Sequence, residues 1–233
     1  QGILPLDSIE ILEKQRGKDY IEVDKTTRLD WDALREKVKT QGMRNSNTMA
    51  IAPTATIANI TGLTQSIEPT YSNLFVKSNL SGEFTVINMH LVAALKEIDM
   101  WDEVMVYDLK NLNGSLESIA RVPEDIKKLF ATSFEVEPKW LIEAASRRQK
   151  WIDQSQSLNL YVSEPNGKKL DVMYRMAWLR GLKTTYYLRS RSATTTEKST
   201  ITNMELNAVK TEPKTYDQPE ACSIDDPDCE ACQ

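Results

Sequence analysis

The sequence has few cysteines, one histidine and no long apolar run, and each shortage excludes a class of protein. Its 233 residues contain three cysteines, all within the last twelve positions, and a single histidine, His90. A structural zinc site normally takes four cysteine or histidine ligands, so the chain is not expected to build one without a partner. No apolar stretch reaches the roughly 20 residues of a membrane-spanning helix. The first ten residues also lack the basic and apolar succession of a signal peptide.

Basic clusters are missing as well, and the acidic charge is concentrated at one end. Residues 190–233 carry nine acidic and four basic side chains, which accounts for the whole net charge of −5. This segment has one aromatic residue, Tyr216, and few aliphatic ones, so it cannot bury enough apolar surface to offset the entropy of ordering. We therefore predict a flexible acidic tail over 190–233. No direct nucleic-acid binding is expected.

The body of the chain, residues 1–189, shows helical patterns that alternate with short strand patterns. Apolar periodicity and end signals predict helices at 30–41, 86–98, 103–111, 123–131, 137–155 and 168–183. Strands are predicted at 47–53, 157–162 and 184–189, with a polar loop over 54–62. This alternation is typical of a parallel α/β layer or barrel. Three or four strands are too few to close a barrel, so part of the sheet is expected to be missing.

The first candidate site is the stretch APTATIANITG at 52–62. A strand that ends at Pro53 is followed by backbone N–H groups and two hydroxyls, supplied by Thr54, Ala55, Thr56 and Ile57. Such groups can bind a phosphate because N–H groups at a turn or helix start carry partial positive charge. The glycine–lysine pattern of a P-loop is absent. On these residues alone, an ordinary turn rich in threonine is the favoured interpretation.

The second candidate is the adjacent pair Tyr186 and Tyr187 in the last predicted strand. Tyrosine can carry a radical, and a strand holds neighbouring side chains at a fixed spacing. Aromatic residues are common in strands, however, and packing explains most such pairs. The pair alone therefore favours a structural role.

The third candidate is the pair Cys229 and Cys232, separated by two residues near the end of the acidic tail. A CxxC pair on a flexible carrier can reach a buried disulfide, exchange with it and withdraw. An accidental pair is the alternative. A tail of this length could span on the order of 35–40 Å as a flexible coil, so redox exchange is the favoured interpretation.

Together these stretches resemble the C-terminal part of the large (α) subunit of class I ribonucleoside-diphosphate reductase. The resemblance lies in GMRNSNTMAIAPTATIANITG (42–62) with SIEP (66–69), in GLKTTYYLRSRSA (181–193) and in ACSIDDPDCEACQ (221–233). The stretches follow one another in the family order over nearly the whole chain. The resemblance implies the C-terminal part of a ten-stranded catalytic α/β barrel over 1–189, followed by a flexible redox tail over 190–233.

The resemblance also implies a role for each candidate site. The substrate phosphates of a ribonucleoside diphosphate would be bound by Pro53, Thr54, Ala55, Thr56 and Ile57. A radical from the small subunit would pass through Tyr186 and Tyr187 to an active-site cysteine. The tail pair, Cys229 and Cys232, would reduce the active-site disulfide and then be reduced by thioredoxin or glutaredoxin, with Cys222 as an additional thiol.

Several parts of such an enzyme are expected to lie outside this chain. The family's radical cysteine, its two reducible active-site cysteines and its catalytic Asn and Glu belong to an earlier part of the subunit, whereas no cysteine here precedes Cys222. The missing initiator Met also indicates a fragment or a processed chain. We expect partnership with an N-terminal part of the large subunit and with a radical-generating, metal-containing small subunit. No metal or cofactor is expected in this segment, and the working thiols indicate the cytoplasm.

Two other functions remain open from the sequence. A cobalamin-dependent ribonucleotide reductase can share a phosphate loop and a terminal cysteine pair, although it makes its radical locally and needs no tyrosine pair. A non-catalytic module could instead use the tail to dock a thioredoxin-like protein. Activity tests with adenosylcobalamin, with a metal-containing small subunit, or with neither would separate the three.

Overall fold

The computed structural model describes residues 2–79 and 82–191. The helices are α1 Ser8–Arg16, α2 Trp31–Gln41, α3 Ala55–Thr61, α4 Met89–Glu97, α5 Glu103–Asn111, α6 Glu124–Leu129, α7 Pro138–Gln149 and α8 Gly167–Leu179. The strands are β1 Leu74–Asn79, β2 Gly82–Ile87, β3 Leu160–Val162 and β4 Leu188–Ser190. Short 3₁₀ turns occur at Pro5–Asp7 and Lys18–Tyr20. Within the described ranges, every helix is too short or too polar to cross a bilayer.

A short parallel sheet lies at the centre of the barrel-like part. Strand β3 pairs in parallel with β4, with Leu160 opposite Leu188, and helix α8 connects the two. On the other side, Ile51 forms a parallel bridge with Gln156, and the Ser157 N–H donates to the Ile51 carbonyl at 2.9 Å. The segment 154–162 therefore has a parallel neighbour on each edge. Parallel strands joined by a covering helix are the unit from which α/β barrels are built.

The buried apolar side chains form two clusters. The barrel core packs α7 and α8 against β3 and consists of Leu141, Ile142, Ala145, Leu158, Leu160, Tyr161, Val162, Met173, Ala177 and Leu182. The hairpin core packs α4 and α5 against the antiparallel hairpin of β1 and β2, and consists of Leu74, Leu91, Leu95, Met105, Leu109, Leu116, Ile119 and Val122. Removal of this apolar surface from water is the main force that holds each cluster together.

Side-chain caps set the start of four helices within the described ranges, at Asp30, Asn88, Asp102 and Asn166. Asp30 accepts a hydrogen bond from the Ala33 N–H at 3.0 Å, and helix α2 begins at the next residue. Asp102 does the same for α5, and Asn166 for α8. Each cap satisfies one of the N–H groups that a helix leaves without an internal partner. The predictions for 30–41 and 103–111 are confirmed to within one residue.

The predicted loop over 54–62 is wrong, because most of it forms helix α3. The Ala58 N–H donates to the Thr54 carbonyl at 2.8 Å, which starts the helical hydrogen-bond ladder. Gly62 ends the helix in the left-handed conformation, with φ 69°. Alanine and isoleucine tolerate helical geometry, and a C-terminal glycine is a common stop signal that the polar character of the stretch obscured.

The predicted helix over 86–98 starts too early, because its first residues belong to the hairpin. Val86 and Ile87 pair with β1, and the helix begins only after Asn88, whose side chain accepts from the His90 and Leu91 N–H groups. The hairpin itself was not predicted. It is an antiparallel pair in a chain whose other strand signals favoured parallel pairing.

Other predicted boundaries move inward. The helix over 137–155 ends at Gln149. The strands over 157–162 and 184–189 are reduced to β3 and β4, while 47–53 contributes one bridge at Ile51. The helix over 123–131 is α6, with Pro123 just before its first residue. The segment order and type are nonetheless those of part of an α/β barrel.

Candidate functional site

The first candidate site, residues 53–57, lies between the bridge at Ile51 and the first turn of helix α3. Thr54 has a left-handed backbone with φ 51°, which is uncommon for a β-branched residue. The Ser66 N–H donates to the Pro53 carbonyl at 3.1 Å and to Thr54 Oγ1 at 3.2 Å. These two bonds hold the turn at residues 53–54 against Ser66. Ser66, which lies beyond helix α3, therefore fixes the strained turn.

Three backbone N–H groups of this site lie before the hydrogen-bond ladder of helix α3. Because the first helical bond of α3 runs from the Ala58 N–H to Thr54, the N–H groups of Ala55, Thr56 and Ile57 precede the ladder. The side chains of these three residues are exposed. N–H groups at a helix start carry partial positive charge and can donate hydrogen bonds to an anion such as a phosphate.

The second candidate site is the tyrosine pair, which lies directly before strand β4. The ring centroids of Tyr186 and Tyr187 are 4.0 Å apart, with the ring planes at 47°. A hydrogen bond between the two hydroxyls, helped by partial burial, raises the pKa of Tyr186 above its ordinary value. The two phenols are thus in direct contact, although both remain partly exposed to solvent.

The main chain on either side of the tyrosine pair is bound to the central strand. The Tyr186 N–H donates to the Leu158 carbonyl at 2.7 Å, and the Leu160 N–H donates to the Tyr187 carbonyl at 2.9 Å. Arg189 places its guanidinium 5.5 Å from the Tyr187 ring centroid. The pair is therefore fixed on the sheet, with a positive charge beside it.

A buried carboxylate joins the loop to the central strand. Glu68 is 6% exposed and Asn159 is 4% exposed. One oxygen of Glu68 accepts from the Asn159 backbone N–H and the other accepts from its side-chain amide, both at 3.1 Å. Glu68 was included in the sequence analysis only as part of SIEP, and Asn159 was missed. A charged residue between Ile67 and Pro69 was the available signal, because an isolated acid in an apolar setting usually has a buried partner.

The guanidinium of Arg148, on helix α7, feels the charge of this carboxylate. Burial lowers the pKa of Arg148, and the charge of Glu68 acts in the opposite direction. The Arg148 Nε–H donates to the Gln156 side chain at 3.2 Å, and Gln156 in turn donates to the Ala145 carbonyl at 2.7 Å. A buried charge is costly unless its oxygens are hydrogen-bonded, and the two bonds from Asn159 meet that condition for Glu68.

The two candidate sites are also anchored on one turn, at residues 152–154. Asp153 accepts from the Thr48 N–H and hydroxyl, both at 2.7 Å, and the N–H bond lowers the pKa of its carboxyl. Lys183 donates to the Asp153 carbonyl at 2.8 Å, and burial lowers its pKa. Because Thr48 leads into the loop and Lys183 leads into the tyrosine pair, one turn fixes the entry to both.

The structure thus brings two of the three predicted sites onto one sheet. Residues 53–57 follow the neighbour on one edge of the central strand, and Tyr186 and Tyr187 lie along the other edge. The third site, with Cys222, Cys229 and Cys232, lies outside the described residues. Within the described ranges, no group of three histidine, cysteine or carboxylate side chains is placed to hold a metal ion.

Comparison with known protein families identifies the fold. The model of the family described as ribonucleotide reductase, barrel domain, matches residues 1–188. The chain belongs to the ribonucleotide reductase barrel family. The resemblance inferred from the sequence motifs is therefore confirmed, and with it the prediction of part of an α/β barrel. The roles of individual site residues stay predictions.

Relatives of the ribonucleotide reductase barrel are found among bacterial large subunits. The chain is 59% identical over 201 residues to the ribonucleoside-diphosphate reductase subunit alpha of Chlamydia muridarum, an alignment that covers 86% of this chain and 19% of the relative. It is 51% identical over 247 aligned positions to the subunit of the same name from Chlamydia trachomatis serovar D, with 100% of this chain and 23% of the relative covered. The chain therefore spans about a fifth of the length of these curated relatives.

A solved structure gives the same result for the three-dimensional arrangement. The alpha subunit of the class Id ribonucleotide reductase of Actinobacillus ureae superposes with a TM-score of 0.59 at 29% sequence identity. The match covers 81% of this chain and 32% of that subunit. The ribonucleotide reductase barrel is thus supported by the fold as well as by the sequence.

Proposed function

We propose that this chain forms the C-terminal part of the catalytic barrel of a ribonucleoside-diphosphate reductase large subunit, in the reduction of ribonucleotides to deoxyribonucleotides. The observation that carries the proposal is the contact between Tyr186 and Tyr187, on a sheet whose opposite side leads into the candidate phosphate loop. An N-terminal part of the subunit would supply the remaining strands and the reactive cysteines. The chain would be inactive without that part.

The tyrosine pair would act as the last relay of a radical generated in a metal-containing small subunit. Transfer of an electron together with a proton requires donor and acceptor to be close and fixed. The separation of 4.0 Å between the two ring centroids is consistent with that requirement. Two main-chain hydrogen bonds to the central strand hold the pair in place.

The loop at residues 53–57 would bind the diphosphate of the substrate. The support is the set of N–H groups that precede the ladder of helix α3, together with the hydroxyls of Thr54 and Thr56. Neutral donors of this kind can hold a diphosphate without a basic side chain, because the N–H dipoles point towards the anion. No resident metal or cofactor is assigned to this segment.

The cysteines at positions 229 and 232 would restore the enzyme after each turnover. In that step a Cys229 or Cys232 thiolate attacks the active-site disulfide and forms a mixed disulfide, which the second thiol then resolves. The active site gains two thiols as the tail gains one disulfide, so two electrons and two protons are transferred. Thioredoxin or glutaredoxin would reduce the tail again.

The tyrosine pair favours this function over a cobalamin-dependent reductase. An enzyme that makes its radical at the active site has no need for two phenols in contact along a strand. The thioredoxin-docking alternative rests on the tail alone, and none of the described contacts supports it over the reductase.

Reconstitution tests the proposal. The chain is combined with an N-terminal fragment of the large subunit and a radical-bearing small subunit, and reduction of a ribonucleoside diphosphate is measured. Tyr186→Phe should abolish turnover, since phenylalanine cannot release a hydroxyl hydrogen. Tyr20→Phe is the matched control, because Tyr20 is an exposed tyrosine far from the pair in sequence, and it should retain activity. Turnover by the Tyr186→Phe enzyme would contradict the proposed role of Tyr186 as a radical relay.

In the same assay, further variants test the loop and the tail separately. Thr56→Val should raise KM for the diphosphate substrate several-fold with little change in kcat, whereas Thr61→Val, at the other end of helix α3, should not.

The tail is tested by the choice of reductant. The double substitution Cys229→Ser/Cys232→Ser should abolish turnover driven by thioredoxin and spare turnover driven by dithiothreitol. If the tail variant loses activity with both reductants, the tail does more than carry electrons.

A further inference from the structure

Glu68 connects the two candidate sites through a short, continuous set of contacts. At one end, the Ser66 N–H binds the turn formed by Pro53 and Thr54. Two residues later, Glu68 binds the backbone and the side chain of Asn159. Asn159 stands between Leu158 and Leu160, the two residues whose main chains bind the tyrosine pair.

The strand geometry explains why a side chain is needed at this point. Ile51 occupies the edge of the central strand as far as Ser157, and the chain then leaves the sheet at Pro53. In a parallel strand the N–H groups of alternate residues point to the same edge, so the next N–H on that edge belongs to Asn159. Glu68 accepts that N–H and so replaces the missing strand partner.

The second bond of Glu68 fixes orientation as well as distance. A carboxylate that accepts from a backbone N–H and from the side-chain amide of the same residue cannot rotate without losing one of them. Both residues are almost fully buried, so water does not readily replace a lost bond. The carboxylate therefore transmits a displacement of the loop to the central strand.

We propose that Glu68 is a positioning residue that sets the phosphate loop relative to the tyrosine pair, through its paired bonds to Asn159. This proposal rests on the proposed function, in which the loop binds the substrate and the tyrosine pair carries the radical. A substrate held by the loop is then placed in a fixed relation to the strand that carries the radical. The hydrogen bonds of the Glu68 carboxylate go to Asn159 and not to residues 53–57 or to the phenols, so its effect is indirect.

The test is carried out on the full 233-residue chain, with 3-fluorotyrosine at position 186 as a ¹⁹F NMR probe. The loop is perturbed by Thr54→Val, which removes the hydroxyl acceptor of the Ser66 N–H. In the wild-type background this change should shift the fluorine resonance. In the Glu68→Gln background, where the amide group can no longer accept both Asn159 donors, the response should fall at least about fivefold.

Three variants distinguish positioning from charge and from stability. Glu68→Asp keeps the charge and shortens the reach, so it should also lose the response. The reciprocal pair Glu68→Gln/Asn159→Asp exchanges one donor and one acceptor and should restore it. Glu135→Gln is the control, because Glu135 is a partly buried carboxylate that accepts the Thr132 N–H at 2.7 Å without joining the loop to the strand, and it should leave the response unchanged.

An equal response in the Glu68→Gln and wild-type backgrounds overturns the proposal, as does a wild-type chain whose probe ignores Thr54→Val. If Glu68→Gln does not fold, Glu68→Asp and the reciprocal pair decide the matter by the same criterion. Binding of inorganic pyrophosphate is measured in parallel. Coupling without pyrophosphate binding supports the role of Glu68 and counts against the phosphate assignment, whereas binding without coupling counts against Glu68 alone.

Discussion

The barrel core and the hairpin core differ in how they use buried polar groups. In and beside the barrel core lie several buried polar side chains: Glu68, Ser146, Gln149, Lys150, Gln156 and Asn159. The other six buried polar side chains of the described residues are serines and threonines apart from Asn73 and Asp108, and they are Ser72, Asn73, Asp108, Ser115, Thr132 and Ser133. Burial of polar groups costs free energy unless each is hydrogen-bonded. The barrel core therefore surrounds the larger buried polar side chains, among them the charged Glu68 and Lys150, and it is the core that lies beside the candidate site.

The buried amides Asn73 and Asn159 make the difference concrete. Asn73 donates to the carbonyls of Gly114 and Phe130 at 3.0 and 2.8 Å and accepts from Asn88 at 2.9 Å. All of its partners belong to the hairpin region, so its bonds hold that region to itself. Asn159 instead binds Glu68, two residues after Ser66, whose N–H binds the turn at Pro53 and Thr54. The Asn73 amide holds the hairpin region together, and the Asn159 amide connects the two candidate sites.

The largest expected effects come from a matched pair of core deletions. Leu158 and Leu95 are both fully buried, in the barrel core and the hairpin core respectively. Replacement of either by alanine should lower the free energy of unfolding by about 3–4 kcal/mol, because a cavity remains. Urea denaturation measures the loss, and only Leu158→Ala should also shift the fluorine resonance at position 186. Equal shifts from both variants would show that the two cores are not independent.

The next effect sharpens the comparison at a glycine of the hairpin core. Gly114 has φ +76°, and a Cβ there would lie 2.6 Å from the Leu74 nitrogen and 2.7 Å from the Asn73 nitrogen. Gly114→Ala should therefore cost about 2–3 kcal/mol, from overpacking and from the left-handed backbone. Gly62 has a similar φ of +69° with nothing within 4 Å, so Gly62→Ala should cost only about 1 kcal/mol. Thermal denaturation compares the two, and equal losses would mean that backbone conformation alone matters.

A smaller effect should appear in the acid sensitivity of the hairpin region. Hydrogen bonds from Arg121, with the Met105 N–H, lower the pKa of Asp102 to about 2. Because the folded pKa lies below the unfolded one, the stabilisation is complete above about pH 4. It is lost as the pH falls from there towards 2. Asp102→Ala should cost about 1 kcal/mol at pH 7 through loss of the helix cap, and less at pH 2.

Unfolding curves at pH 7 and pH 2 check this expectation, with Asp32→Ala as control. Asp32 is an exposed residue of α2 whose nearest cation, Arg35, is 3.9 Å away. Its replacement should change stability little at either pH, because such surface pairs contribute little. A cost for Asp102→Ala that is the same at both pH values would contradict the assignment.

The smallest effects concern two residues with left-handed backbones, one in each region. Thr54 has φ 51° and Asn113 has φ 54°. Thr54→Gly relieves strain on a β-branched residue but removes an acceptor, so we expect a net change within about 1 kcal/mol. Asn113→Gly should be nearly neutral, because asparagine tolerates this conformation. Differential scanning calorimetry resolves both, and a large loss for Asn113→Gly would reveal an unrecognised role for its side chain.

Much of the chain's secondary structure could be predicted from local signals, while the connections between distant segments could not. The caps at Asp30 and Asp102 stand in the sequence next to the helices they start, and the family motifs point to the loop and to the tyrosine pair. The bond between Glu68 and Asn159 joins residues 91 positions apart. No local pattern encodes a contact of that separation, because it depends on which strands become neighbours.

The errors have physical causes of the same kind. Helix α3 was predicted as a loop because threonine and asparagine favour turns in isolation, whereas the bonds that Pro53 and Thr54 receive from Ser66 fix where the helix starts. The hairpin was missed because its strand residues run directly into helix α4. Periodicity alone assigned Val86 and Ile87 to that helix.

The paired bonds between Glu68 and Asn159 have a consequence for how this barrel can evolve. Hydrogen bonds between main chains survive almost every substitution, so the hold of the central strand on the tyrosine pair is shielded from mutation. The connection to the loop is made by the side chain of Glu68, and a single base change in its codon can remove it. Natural variation at these two positions should therefore be correlated, with acceptor and donor lost or exchanged together.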